Sequence, residues 1–134
     1  MRVAIVGSRS FDSYSDLEKA IKESGFDISE VVCGGAKGAD SVGRLWGEIN
    51  GITISLFPAD WDNISVPYSL VRTNKWGKPY NAAAGRARNT TMADYADAVL
   101  ACWDGASSGT KHMIGEARKF GKPVYVFRFN TVGI

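Results

Sequence analysis

Residues 34–40, with the sequence Gly-Gly-Ala-Lys-Gly-Ala-Asp, are of types suited to binding a phosphate group. Glycine lets the backbone approach a ligand closely and adopt positive φ angles, and a helix beginning directly afterwards would direct N–H groups and partial positive charge to the same point. Lys37 would add a mobile cation. Asp40 would either cap that helix or, as we prefer, accept a hydrogen bond from a ribose hydroxyl. The spacing matches neither the P-loop nor the dinucleotide-binding pattern, so by itself the stretch is as compatible with a plain structural turn.

Three other segments carry groups of the same kind. Gly7-Ser8-Arg9 follows the first apolar run and offers one guanidinium, which suits phosphate or carboxylate. Arg88 and Asn89 lie near the start of a predicted helix, where Asn89 is equally compatible with a capping role. The small-residue turn Ser107–Thr110 precedes another predicted helix and is a second candidate anion site.

The elements that would position these segments alternate along the chain. Apolar runs at 2–6, 28–33, 52–57, 98–103 and 124–129 predict five strands. Helices are predicted from Ser13 or Ser15 to Gly25, over 41–49, from about 83 to 95, and over 110–120. Such alternation is typical of an α/β, Rossmann-like three-layer sandwich, with a parallel five-stranded sheet and helices on both faces. Ligands bind at the carboxyl ends of such strands, where all four segments are expected, joined by Asp60 and Trp61 after the third strand.

The composition bounds the class of protein. The 134 residues carry sixteen basic and fourteen acidic side chains, a net charge of +2, which argues against a broad nucleic-acid surface. No apolar run is long enough to span a membrane and no signal-peptide pattern opens the chain, so a cytoplasmic protein without membrane contact is expected. Cys33 and Cys102 are predicted to be buried and reduced. With one histidine available, no metal site is predicted, and no cofactor is expected.

The segment at about 60–81 interrupts the alternation. It holds Trp61, Tyr68, Trp76 and Tyr80 among prolines and polar residues, and it is long for a connection inside one compact domain. We expect a single domain over 1–134 in which this segment is a functional loop or lid, or is partly ordered by itself. Its aromatic residues would extend the ligand site or form a dimer contact.

Some single residues have two interpretations. Phe11 or Trp61 could cover a nucleotide base, whereas Trp46 is expected in the core and Trp103 fits either role. His112 could serve as a general acid, although ordinary helix packing is the more frequent role of a lone histidine.

Several of these motifs occur in one order along the chain: Val6-Gly7-Ser8-Arg9, Gly34 to Asp40, Pro58-Ala59-Asp60-Trp61, Ala84 to Asn89 and Ser108-Gly109-Thr110. Together they resemble the YspA/YpsA-like branch of the SLOG superfamily, Rossmann-like domains related to DprA and to the LOG proteins. The resemblance spans nearly the whole chain. It implies a sheet with strand order 3-2-1-4-5 and a bound nucleotide or nucleotide-derived ligand, with the domain acting as a sensor, sequestering protein or carrier.

The residues and the resemblance together predict the ligand-binding positions Gly7, Ser8, Arg9, Gly34, Gly35, Ala36, Lys37, Gly38, Asp40, Asp60, Trp61, Arg88, Asn89, Ser107, Ser108, Gly109 and Thr110. LOG enzymes carry a glutamate three residues after the Gly-Thr threonine, where this chain has Met113. Nucleotide N-glycosidase or phosphoribohydrolase activity is therefore the alternative, with Asp40, Glu116 or His112 as candidate catalytic groups. A DprA-like nucleic-acid or protein interaction module is a further alternative, nucleic acid being the less expected partner, and a homo-oligomer is compatible with the sequence.

Overall fold

A computed structural model of the chain describes residues 1–35, 38–59, 71–81 and 83–129. Its elements, in chain order, are β1 (Arg2–Gly7), α1 (Tyr14–Ser24), β2 (Glu30–Cys33), α2 (Ala39–Ile49), β3 (Thr53–Leu56), β4 (Val71–Thr73), β5 (Pro79–Asn81), α3 (Ala84–Tyr95), β6 (Ala98–Trp103), α4 (Ser108–Lys119) and β7 (Val124–Arg128).

The central sheet has the strand order β3-β2-β1-β6-β7, and every neighbouring pair in it is parallel. The predicted α/β class is therefore confirmed. Because β4 and β5 stand outside this sheet, β6 and β7 are its fourth and fifth strands along the chain. Strand order reverses between β1 and β6, and a crevice forms at the carboxyl ends of strands at such a point.

Alternating residues of the buried strand β1 face two separate cores. Val3 and Ile5 belong to the core that α1 and α2 cover, whereas Ala4 and Val6 belong to the core beneath α3 and α4. The sheet thus lies between two helical layers. Cys33 and Cys102 are buried free thiols, and desolvation raises their pKa values to about 11 and about 12.

Local capping fixes the bounds of α1. The Ser13 side chain accepts a hydrogen bond from Asp16 N at 3.2 Å, and Gly25 closes the helix with a φ of 71°. Ser13, rather than Ser15, is therefore the N-cap. None of the helices in the described ranges is long and apolar enough to cross a membrane.

The segment predicted as a loop, lid or partly ordered unit contains an antiparallel hairpin, β4–β5. Arg72 pairs with Tyr80, and the turn runs through Asn74 and Gly77. Residues 60–70 lie outside the described part of the chain, and with them Trp61 and Tyr68.

Candidate functional site

A cleft of about 250 Å³ opens at the carboxyl ends of β1 and β6, where the strand order reverses. It combines an apolar floor with polar and charged walls. Its lining residues are Val6, Gly7, Arg9, Asp40, Gly85, Arg86, Arg88, Asn89, Met92, Ser107, Gly109, Thr110 and Met113. Four segments far apart in the sequence contribute to it: the end of β1 with the residues after it, and the first turns of α2, α3 and α4. Binding sites of parallel sheets lie at this edge.

The N-terminus of α4 forms one wall of the cleft. Asp104 organises the turn before it, since its Oδ1 accepts hydrogen bonds from Ala106 N and Ser107 N, both at 2.8 Å. These bonds lower the pKa of Asp104 and keep it ionised. The N-cap Ser107 makes no side-chain capping bond, and its Oγ lies 3.2 Å from Thr110 Oγ1. The first turn of α4 thus brings N–H groups and partial positive charge to the cleft.

Trp103 holds this turn against the sheet. Its indole Nε1 donates to Ser107 O at 3.0 Å, and the Arg128 guanidinium lies 5.3 Å from the ring centroid. Of the two roles expected for this tryptophan, its contacts fit the structural one.

Arg88 connects α3 to the carboxyl ends of β2 and β3. Its Nη1 donates to Gly34 O at 2.7 Å and to Phe57 O at 3.3 Å, and its Nε donates to Asn89 Oδ1 at 3.3 Å. The guanidinium packs so closely on Gly34 that a Cβ at this position would collide with it. Gly34 N in turn donates to Asp40 Oδ2 at 3.2 Å. The arginine is therefore fixed in position at the cleft.

Ser8 and Gly38 give the cleft its shape. Ser8 is 2% exposed, and its Oγ accepts a hydrogen bond from Asp104 N at 3.1 Å, which joins the β1 and β6 loops. Gly38 has a φ of 82°, and a Cβ there would collide with the backbone of Ser8 and Arg9. The hydroxyl of Ser8, predicted to contact ligand, is thus directed into the protein instead.

The charges that line the cleft are predominantly positive. Arg9 and Arg86 are exposed and Arg88 is half-buried, whereas the one lining carboxylate in the described part of the chain, Asp40, is only 7% exposed. Guanidinium groups beside a helix N-terminus favour a phosphate or carboxylate.

Asp40 lies in the first turn of α2, and Gly38 is the N-cap, so the capping interpretation of Asp40 is wrong.

His112 and Glu116 lie between α3 and α4, beside the cleft. His112 Nδ1 is 3.3 Å from Asn89 Nδ2, and Nε2 is 3.7 Å from Glu116 Oε1. Glu116 accepts from Thr90 Oγ1 at 2.6 Å and pairs with Lys119 Nζ at 3.0 Å. These two bonds lower the pKa of Glu116, whereas burial lowers that of His112. Neither side chain is among the described residues that line the cleft.

Eight of the predicted ligand positions come together in the cleft: Gly7, Arg9, Asp40, Arg88, Asn89, Ser107, Gly109 and Thr110. Ser8, Gly34, Gly35, Gly38 and Ser108 lie in or next to the same segments without lining the cleft. Ala36, Lys37, Asp60 and Trp61 fall outside the described residues. The expectation that Phe11 covers a base is wrong, because Phe11 is 1% exposed and packs edge-on against Phe129 with 5.0 Å between ring centroids.

The sequence did not predict Val6, Gly85, Arg86, Met92 and Met113 as site residues. Nothing in the sequence distinguishes the apolar residues of the cleft, since a methionine in the core and one in the cleft occur in the same hydrophobic pattern. Arg86 did carry one, because it stands two positions before Arg88 near the same helix start. No cluster of three metal-ligating side chains occurs within the described ranges.

Comparisons with known proteins agree with this architecture. A family model described as the YspA, cpYpsA-related SLOG family matches residues 1–63. The gene 61 protein of Mycobacterium phage D29 is 33% identical over 136 aligned positions, which cover 94% of this chain and 95% of that protein. The X-ray structure of DNA processing protein A (DprA) from Streptococcus pneumoniae is similar with a TM-score of 0.68 and 21% identity, over 98% of this chain and 52% of that chain. The chain thus spans about half of the DprA chain, and at this identity the likeness concerns the fold. With its motifs, its sheet and these matches, the chain belongs to the YspA, cpYpsA-related SLOG family.

Proposed function

We propose that the protein binds a phosphate-bearing nucleotide or nucleotide-derived ligand in the cleft at the carboxyl ends of β1 and β6. The observation that carries the proposal is the meeting of the α4 N-terminus with three arginines in one cleft. A phosphate would accept hydrogen bonds from the first-turn N–H groups of α4. Arg9 and Arg86, both exposed at the rim, would supply charge-assisted bonds.

The apolar floor suits the remainder of a nucleotide. Val6, Met92 and Met113 would pack against the sugar or the base, and Asp40 would accept a hydrogen bond from a ribose hydroxyl. A volume of about 250 Å³ lies just below the range of roughly 300–1,000 Å³ common for small-molecule pockets. It therefore fits a sugar phosphate better than a complete dinucleotide. Such a domain would act as a sensor, sequestering protein or carrier.

Calorimetric titration with nucleoside mono-, di- and triphosphates and cyclic nucleotides tests the proposal. Arg86→Ala should weaken the observed affinity roughly 10- to 150-fold, because a hydrogen bond to a charged group contributes about 1.5–3 kcal/mol. Arg118→Ala is the matched control, since Arg118 is an exposed arginine in the last turn of the same helix that begins at the cleft. Absence of binding across the panel, or equal affinity in the two variants, would contradict the proposal.

Cleavage of the bound nucleotide is the second candidate function, and the position of Asp40 favours it. This carboxylate lines the cleft and is 7% exposed, a setting in which a carboxylate can stabilise an oxocarbenium-like transition state. Glu116 and His112 are weaker candidates because they contact each other beside the cleft. Release of free base by the wild type but not by Asp40→Asn, with affinity retained, would establish the enzyme. Binding without turnover would leave the binding function alone.

A further inference from the structure

The hairpin β4–β5 presents a tryptophan at a well-defined turn. Asn74 Oδ1 accepts hydrogen bonds from Trp76 N at 2.9 Å and from Lys78 N at 3.0 Å, and Asn74 N donates to Lys78 O at 3.0 Å. Gly77, with a φ of 79°, supplies the positive φ angle that the turn requires. The chain therefore holds the backbone of Trp76 in one conformation at the tip of the hairpin.

Trp76 is 79% exposed, more than any other large hydrophobic residue in the described ranges. A tryptophan left in water forgoes a large burial energy, and at an ordered turn its ring is available to a partner. The Lys75 Nζ lies 4.5 Å from the centroid of the indole ring. Aromatic surface and positive charge thus occur side by side at the tip.

The charges of this hairpin are of one sign. Residues 71–81 include Arg72, Lys75 and Lys78 and contain no aspartate or glutamate. The net charge of the whole chain is only +2, so the hairpin is more basic than the chain as a whole. A hairpin of this kind is complementary to a polyanion.

Among polyanions, single-stranded nucleic acid fits both features. Its unpaired bases stack on aromatic rings, and its backbone places a phosphate beside each base, where an adjacent lysine can reach it. We propose that β4–β5 is a contact site for single-stranded nucleic acid, in which Trp76 stacks on a base and Arg72, Lys75 and Lys78 contact phosphates. This site is distinct from the cleft and does not depend on the nucleotide proposal.

The test is fluorescence anisotropy at low salt with labelled 15-nucleotide oligothymidine and oligouridine, a DNA duplex of equal length as competitor, and phosphatidylserine vesicles. Trp76→Ala should weaken binding of the single strands roughly 5- to 150-fold, whereas Trp76→Tyr should retain much of it. Phe120→Ala, which removes another exposed aromatic residue, is the matched control. Since Trp76 and Phe120 are both exposed, none of these changes should impair folding.

The salt dependence tests the charges separately. Three phosphate contacts to a single strand give a log–log slope of about −2, and this contribution should disappear in Arg72→Ala/Lys75→Ala/Lys78→Ala. It should persist in Lys19→Ala/Arg44→Ala/Arg118→Ala, which removes three exposed basic residues elsewhere.

Two results would overturn the proposal. One is equal oligonucleotide affinity in the wild type and Trp76→Ala, since the ring would then contact no base. The other is a hairpin that contacts vesicles but not single strands, with vesicle binding lost in the Trp76 and charge variants. Preference for thymidine or uridine oligomers would assign the site to DNA or RNA.

Discussion

At the scale of single residues, two glycines of the 34–40 stretch have different tasks. Gly34 leaves room for the Arg88 guanidinium, whereas Gly38 has a positive φ and lies against the backbone of the β1 loop. A Cβ at Gly34 would meet the end of the Arg88 side chain, which can move. A Cβ at Gly38 would meet the main chain of Ser8 and Arg9, which cannot move without displacing the end of β1.

We therefore predict that one alanine substitution acts mainly on ligand binding and the other mainly on stability. Gly34→Ala should displace Arg88 and weaken nucleotide binding. Its loss of unfolding free energy should be smaller than that of Gly38→Ala, because it breaks hydrogen bonds of a half-buried side chain and leaves the backbone in place. Gly38→Ala should lower the free energy of unfolding by at least roughly 1–3 kcal/mol, the usual cost of holding a non-glycine residue in such a conformation, because the collision with the backbone of Ser8 and Arg9 adds to that cost. Urea unfolding and calorimetric titration of both variants provide the measurement. Equal stability losses would contradict this division of roles.

At the scale of elements, a polar contact joins α3 to the start of α4. Asn89 Nδ2 donates to Gly109 O at 3.2 Å and lies 3.3 Å from the ring of His112. Burial lowers the pKa of His112, an effect that Arg86 and Lys119 reinforce and Glu116 opposes. The neutral imidazole is therefore the form that this contact favours.

A pH dependence of stability follows. The unfolded imidazole titrates near its ordinary pKa of about 6.5, and the folded one titrates lower. The stabilisation that the neutral imidazole contributes is complete above the pKa of the unfolded state. It is lost as the pH falls through the lower pKa of the folded state. Because His112 is the single histidine, unfolding between pH 7.5 and 5.5 should show a decrease that His112→Gln removes. An imidazole titration by NMR above the ordinary pKa would contradict this expectation.

The helices and the strands of the central sheet could be predicted from the sequence, whereas the short hairpin strands and the tertiary contacts of single side chains could not. The strand predicted at 98–103 matches β6, and Ser13 and Gly25 bound α1, because apolar runs and caps are local signals. The hairpin β4–β5 was not predicted as strands, since its two strands have three residues each and one begins with Pro79. Phe11 was misassigned because only the tertiary structure brings Phe129 against it. In the cleft, eight lining positions were predicted, but Gly85, Arg86 and the apolar floor were not.

At the scale of the whole molecule, the order of strands does most to create the site. Because β1 lies between β2 and β6, the loops that follow β1, β2 and β6 meet, and α3 approaches from the same edge. The hairpin precedes α3 in the chain and carries its own charges. The described part of the chain thus presents a positively charged cleft and a basic hairpin that does not line it, and we propose a mononucleotide-sized ligand for the first and a nucleic-acid strand for the second.

The most direct test of the central proposal is a crystal structure with the nucleotide that binds most tightly in the calorimetric panel. We expect a phosphate within hydrogen-bonding distance of the first-turn N–H groups of α4 and of the Arg86 guanidinium, with the sugar against Met92 and Met113. A nucleotide bound elsewhere, with the cleft between β1, α3 and α4 left open, would contradict the account.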